Sequence, residues 1–269
     1  MSGIDLHAGD VRIDRTAPLA RANPVAKLGA SLVISLALLL TVDPVTAGVA
    51  LLLELALLPW AGLPLRVALR RSVIVLWAAL TTGLATTWLG VDSGEVLLGA
   101  GWVTVTEGSL TSGLAIGLRV LAIGLPGVLL LASTDPTDLA DALSQVLRLP
   151  SRFVLAALAS TRLLGVLVEE WQALTMAWRA RGLGDDGWWG RVRTVRGQLF
   201  ALLVLAIRRA TTLAVAMEAR GFGASGKRTW ARPSRLDGWD VVVLVGGVVL
   251  AGVATAAGMA AGTWDLTLT

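Results

Sequence analysis

The chain has no cysteine among its 269 residues. Disulfides, thiolate metal sites and a cysteine nucleophile are therefore excluded. Its single histidine, His7, lies in a polar N-terminal stretch, so the usual imidazole-containing metal centre has no ligand set. Charge is also scarce: 16% of residues are charged and 55% are hydrophobic. Lys27 and Lys227 are the only lysines among 23 basic residues. No phosphate loop of the form G-x-x-x-x-G-K-[ST] occurs. "GASGKRT" at 223–229 contains Gly-Lys but lacks the first glycine at the required spacing, and it follows a helical pattern rather than a strand. It is read as a solvated basic turn near a membrane surface, where anionic lipid helps to hold it. The chain thus has no means of hydrolysing ATP by itself. The first 22 residues carry aspartates in place of the basic start and apolar middle of a signal peptide.

What is present is a set of long apolar runs, the mark of an integral membrane protein. Five segments approach the ~20 helical residues needed to cross a bilayer: 25–42, 45–63, 72–90, 112–132 and 240–262. The first is short, and Lys27 at its start is expected to snorkel to the interface. Orientation follows the basic residues. Arg12, Arg15, Arg21 and Lys27 precede the first span; Arg66, Arg70 and Arg71 separate the second and third. The 91–111 loop has Asp92, Glu95 and Glu107 but no Lys or Arg, whereas 133–239 holds fifteen basic residues. The N-terminus and 133–239 are therefore placed in the cytoplasm and the C-terminus outside. Trp88, Trp102 and Trp264 fall near the outer interface.

Two charges lie within spans, Glu54 and Arg119, each roughly 10–14 Å deep at 1.5 Å per residue. Intramembrane charges are costly and commonly pair, which predicts a Glu54–Arg119 ion pair tying spans two and four. Pro126-Gly127 is expected to kink span four.

The 133–239 segment reads as three helices. Thr134-Asp135-Pro136 supplies an N-cap and a first-turn proline, and that helix ends before Leu149-Pro150. The second runs from about Ser151 to Arg181. Leu164, Leu167, Trp171, Leu174 and Trp178 form one apolar stripe, with Arg162, Glu169 and Arg179 opposite. The charges interrupt it, so it is not expected to span. The third runs about 192–220 with the stripe Leu199, Leu202, Ala206, Ala210, Leu213 and Met217. Its 198–207 run is too short to cross, which keeps the helix cytoplasmic or interfacial.

Both helices end alike. "AWRARGLG" at 177–184 and "AMEARGFG" at 216–223 share A-x-x-A-R-G-apolar-G, 39 positions apart. In each, Arg stands in the last turn, where a cation complements the helix dipole, and Gly stands where a left-handed residue terminates a helix. One such ending is ordinary. Two matching endings on long helices suggest equivalent protrusions for equivalent receptors, the Arg fork suiting a carboxylate-bearing groove.

With these tips, "RANPVAKL" (21–28), "LASTDPTDLADAL" (131–143), "RLPSRFVLAALASTRLL" (148–164) and "RRATTLAVAMEARGFG" (208–223), the chain resembles the transmembrane T component of energy-coupling factor transporters, including the related cobalt and biotin systems. The resemblance covers roughly 20–235. It implies an all-α membrane protein with about five transmembrane helices and a cytoplasmic three-helix coupling region between spans four and five. The corresponding division is 1–24 polar segment, 25–132 four spans, 133–239 coupling helices and 240–269 last span. The resemblance further implies a non-catalytic scaffold in a prokaryotic plasma membrane. Its partners would be two ABC-type ATPase subunits, one substrate-binding S component and the bilayer, with no nucleic acid. ATP and magnesium would sit on the ATPases and no cofactor on this chain. Carried onto this sequence, the ATPase-docking residues are Ala180, Arg181, Gly182, Ala219, Arg220 and Gly221, and the two stripes face the S component or the membrane boundary.

The alternatives are a stand-alone secondary transporter and a membrane-embedded enzyme. The first lacks an inverted repeat with matching broken spans. The second would rest on Asp135, Asp138 and Asp141, which are spaced like helix N-terminal residues, or on Ser160-Thr161, which has no neighbouring base. An ordinary ABC permease would carry one coupling element per chain rather than two.

Overall fold

Proline in a first helical turn gives up an N–H that has no helical partner, so it marks helix starts cheaply. The structure is a computed structural model describing residues 17–41, 43–62, 65–90, 95–100, 103–182, 187–223 and 229–263. Its helices are α1 (Pro18–Arg21), α2 (Pro24–Leu39), α3 (Pro44–Leu57) with a 3-10 extension over Leu58–Ala61, α4 (Leu65–Leu89), α5 (Glu107–Ser133), α6 (Pro136–Gln145), α7 (Ser151–Ala180), α8 (Gly187–Ala219) and α9 (Gly238–Ala260). Short side chains cap the proline starts. Asn23 accepts from the Val25 N–H at 3.0 Å, Asp43 from the Thr46 N–H at 2.7 Å, and Asp135 from the Thr137 N–H at 2.7 Å.

Among the described residues six helices are long and apolar enough to cross a membrane: α3 with its extension, α4, α5, α7, α8 and α9; α2 is shorter, with 16 residues. The protein is a multi-pass, all-α membrane protein. Between α4 and α5 the expected loop holds a small antiparallel ribbon, β1 (Val96–Ala100) with β2 (Val103–Thr106). Thr106 then caps α5 in a reciprocal box with Ser109, so this helix begins at Glu107, five residues before the expected span. It runs unbroken through Pro126. Trp88 is exposed near the end of α4; Trp102, Trp264, most of the 223–229 turn and the first sixteen residues lie outside the described residues.

The chain divides into two compact units, 1–142 with 234–269, and 143–233. In the first, helices meet through small residues. Lipid is as apolar as leucine, so close backbone approach rather than hydrophobic sequestration holds such helices together. A Cβ on Gly113 of α5 would lie 2.7 Å from the Gly83 carbonyl of α4, and one on Gly83 would lie 3.0 Å from the Gly113 carbonyl. Gly117, four residues on, continues this contact beside Ala79. At the α2–α9 crossing a Cβ on Gly247 would lie 2.9 Å from Ala30 Cα. Ile34, Leu38, Ala47, Ala50, Ala122, Leu250 and Ala254 form the common core of α2, α3, α5 and α9. Leu32, Ile74 and Leu89 point outward, as a lipid-facing surface requires.

Polar groups join the helix starts. The Asn23 N–H donates to the buried Asp240 carboxylate at 2.6 Å. Asn23 Nδ2 donates to Ser234 Oγ at 3.0 Å and to the Arg235 carbonyl at 3.2 Å. Asp240 also accepts from the Asp237 N–H at 2.7 Å, closing the cap of α9. One asparagine thus fastens the start of α2 to the start of α9.

Two expectations are corrected here. Lys27 does not snorkel: it is buried, and its Nζ donates to the Ala20 and Ser133 carbonyls at 3.3 and 3.4 Å. The carbonyl-rich ends of α1 and α5 take the place of water. The Glu54–Arg119 ion pair does not form either. Arg119 donates to the Leu39 carbonyl, and neither carboxyl oxygen of Glu54 has a hydrogen-bond partner among the described residues. The cause is register. Gly48 of α3 stands opposite Leu118 of α5, where a Cβ would lie 3.9 Å from Leu118 Cδ1. Both helices run in the same direction, so Arg119 is level with residue 49, about 7–8 Å along the axis from Glu54. Arg119 instead lies beside the C-terminal end of α2 and donates to a last-turn carbonyl there.

Gly113→Val should force α4 from α5 and cost about 1–3 kcal/mol. The expected result is a lower unfolding midpoint in detergent, with Gly127→Ala, which meets open space, as the control.

Candidate docking site at two arginine-tipped helix ends

The second unit is dominated by two long helices, 30 residues in α7 and 33 in α8. Leucine, alanine and arginine carry them, all good helix formers. Hydroxyls inside α7 are absorbed by its own backbone: Ser160 donates to the Ala156 carbonyl at 2.9 Å and Thr161 to that of Leu158 at 2.7 Å. This is a structural use of the pair and supports no nucleophile.

The helices are antiparallel. Near the end of α7, Trp178 covers Gly197 of α8, where a Cβ would lie 2.6 Å from Trp178 Cη2. Further back, Glu170 pairs with Arg209. Along α7 the partner number falls as its own rises. Thus the C-terminal ends of the two helices lie at opposite ends of the hairpin. By this register Arg181 is level with about residue 194, which leaves about 40 Å of α8 between it and Arg220.

The expected stripes divide in two. Leu167, Trp171, Leu174 and Trp178 on α7, and Leu202, Ala206, Leu213 and Met217 on α8, are half-buried, whereas Leu164, Leu199 and Ala210 are exposed. Phe200, Leu203, Val204 and Ile207 extend the exposed apolar side of α8. Arg162, Glu169 and Arg179 are exposed on α7, as the periodicity predicts. The expectation that charges and short runs keep these helices from crossing a membrane is not upheld by length and composition, since both qualify. The 198–207 run is embedded in a helix that begins at Gly187, five residues before the expected start, and carries apolar residues on both sides of it.

Both ends terminate as their shared motif demands. Gly182 has φ +71° and Gly221 has φ +81°, the left-handed region in which a Cβ is penalised. Gly182 N–H donates to the Arg179 carbonyl at 2.9 Å, and Gly221 N–H to the Glu218 carbonyl at 2.9 Å. At the second end the Phe222 N–H reaches the Met217 carbonyl at 2.9 Å. That completes a Schellman motif. Ala180, Arg181, Gly182, Ala219, Arg220 and Gly221 are all exposed. Each arginine thus stands exposed on a helix end fixed at the backbone, a rigid base for a fork of donors. Glu54 and Arg119 belong to the other unit. No group of three or more metal-ligating side chains occurs among the described residues.

The sequence pattern of the cobalt transport protein family (CbiQ) matches residues 15–230. The energy-coupling factor transporter transmembrane protein EcfT of Bacillus subtilis is 34% identical over 188 residues, 66% of this chain and 70% of that protein. Those of Heliobacterium modesticaldum and Bacillus selenitireducens are each 30% identical, covering 87% and 83% of this chain and 91% and 87% of their own lengths.

Gly221→Val should open the Schellman turn at a cost of about 1–2 kcal/mol. Amide exchange at Phe222 should accelerate, while Gly165→Ala, in open space on α7, should leave it unchanged.

Proposed function

The chain belongs to the cobalt transport protein family shared with the energy-coupling factor transmembrane proteins, and from that premise we propose that Arg181 and Arg220 dock two ATPase subunits. As a member it is a non-enzymatic membrane component of such a transporter. The observation that carries the proposal is the construction of both tips: the same exposed Ala-Arg-Gly, terminated by the same left-handed glycine, about 40 Å apart. One groove cannot receive both at that spacing. Two grooves on a two-fold pair of ATPases can. ATP and magnesium then reside on those partners, and hydrolysis there moves the two ends of the hairpin.

The antiparallel sense adds a constraint. If α7 and α8 both crossed the bilayer, Arg181 and Arg220 would face opposite compartments. Docking from the cytoplasm requires the hairpin to lie along the inner surface, its exposed apolar side toward lipid or toward a substrate-binding S component. Leu164, Leu199, Phe200, Leu203 and Ile207 supply that side. The orientation follows from charge in the first unit. Arg21, Arg66, Arg70 and Arg71 are exposed at one end of the bundle, and Glu95 and Glu107 at the other. The basic end faces the cytoplasm; the N-terminus is there and the C-terminus outside.

Arg181→Glu and Arg220→Glu should each weaken ATPase association by about 2–5 kcal/mol, since like charges then meet. The double reversal should leave membrane insertion intact, recover no ATPase on co-purification and abolish uptake. Normal ATPase recovery with the double variant would contradict the docking assignment.

A further inference from the structure

The first unit contains a cavity of about 250 Å³ at the end of the bundle where α2 and α9 begin and α3 and α5 finish. Its walls are apolar, with Ile34, Leu57, Leu129 and Val243 among them. An apolar protein cavity of about 150 Å³ takes one benzene, so this one has room for a short alkyl chain or a small aryl group. Trp60 and Trp239 also contribute to the wall and are more than a third exposed; they form its outer margin. The indole of Trp239 is held by donating to the Pro18 carbonyl at 2.8 Å.

Two ionisable side chains line this space, Glu54 and Lys27, and their situations differ. Lys27 has local partners: two backbone carbonyls, with Asp138 and Asp240 close enough to act on its charge. Glu54 is 5% exposed, and neither of its oxygens has a hydrogen-bond partner among the described residues. Leaving such a group unsatisfied in an apolar wall costs more than most single interactions give, and an intramembrane carboxyl is by default a functional position. What the cavity lacks is a donor, preferably a charged one, attached to something apolar.

We propose that the cavity binds a small amphiphile with an apolar body and a protonated amine head, the ammonium donating to Glu54. The body replaces the void between α2, α3, α5 and α9. Trp60 and Trp239 add aromatic faces, which favour cations over neutral heads. Carboxylate-headed amphiphiles are disfavoured, because they would set a second acid against Glu54.

The test uses three eight-carbon probes with a chain diazirine, differing only in the head: amine, alcohol and carboxylic acid. The full-length protein is placed in phosphatidylcholine nanodiscs and irradiated. Adducts on Val242 and Val243 of α9 are counted relative to those on the lipid-facing Ile74 of α4. The amine should be enriched at α9 about tenfold over the alcohol, and the acid should not be enriched. Glu54→Gln should remove the amine's advantage while leaving alcohol labelling of α9 unchanged, which also reports an intact cavity. Equal labelling by all three heads, or an amine preference that survives Glu54→Gln, would overturn the proposal. Preference for the acid would transfer recognition to Lys27 and overturn it equally. Should Glu54→Gln fail to insert, the three-way ratio in the unaltered chain and in Glu54→Asp still decides.

Discussion

The seating of Trp178 on Gly197, with Glu170 paired to Arg209 behind it, is the constraint on which the functional reading depends. It makes α7 and α8 antiparallel and fixes their register. The motif at each helix end specifies a rigid, exposed arginine. The register alone specifies where the two arginines stand relative to each other. Without Gly197 the indole would have no room against α8, and the tips would lose their fixed separation. An exposed ion pair contributes little stability by itself, so the Trp–Gly contact carries the geometry and the Glu170–Arg209 pair refines it.

The first unit solves a different problem. In a bilayer the hydrophobic effect does not discriminate helix from lipid, and small residues and capped polar ends do the fastening. Gly83 and Gly113 bring α4 and α5 together, and Gly247 brings α9 against Ala30. Asn23 and Asp240 fasten two helix starts, and Lys27 bonds to the Ala20 and Ser133 carbonyls. Among the described residues, the two carboxyl oxygens of Glu54 and the Thr134 hydroxyl stand outside this network, and only Glu54 is ionisable. That contrast gives it its interest.

The sequence made much of this legible. Apolar runs located the helices of the first unit, with α4 starting seven and α5 five residues before the expected spans, and Asp135-Pro136 marked the start of α6. The A-R-G repeats located both tips and their left-handed glycines. The misses have physical causes. Thr106 and Ser109 form a cap that starts α5 early, and nothing in hydropathy announces it. The Gly48–Leu118 register separates Glu54 from Arg119, since depth in the bilayer is a one-dimensional estimate and pairing is three-dimensional. Gly113-x-x-x-Gly117 was a readable signal for close helix crossing. The role of Asn23 was not readable, because its partners Ser234, Arg235 and Asp240 are over two hundred residues away. Whether a helix such as α8 crosses or lies along a membrane is not settled by composition, since length and apolarity permit both.

The antiparallel hairpin turns that last point into a sharp measurement. The chain has no native cysteine, so single cysteines at 181 and 220 can be labelled without background. In sealed vesicles of known sidedness, a membrane-impermeant maleimide should reach both positions from the cytoplasmic face and neither from the other. Labelling of one position from each side would show that α7 and α8 traverse the bilayer, and it would contradict the paired docking of both tips to ATPases in a single compartment.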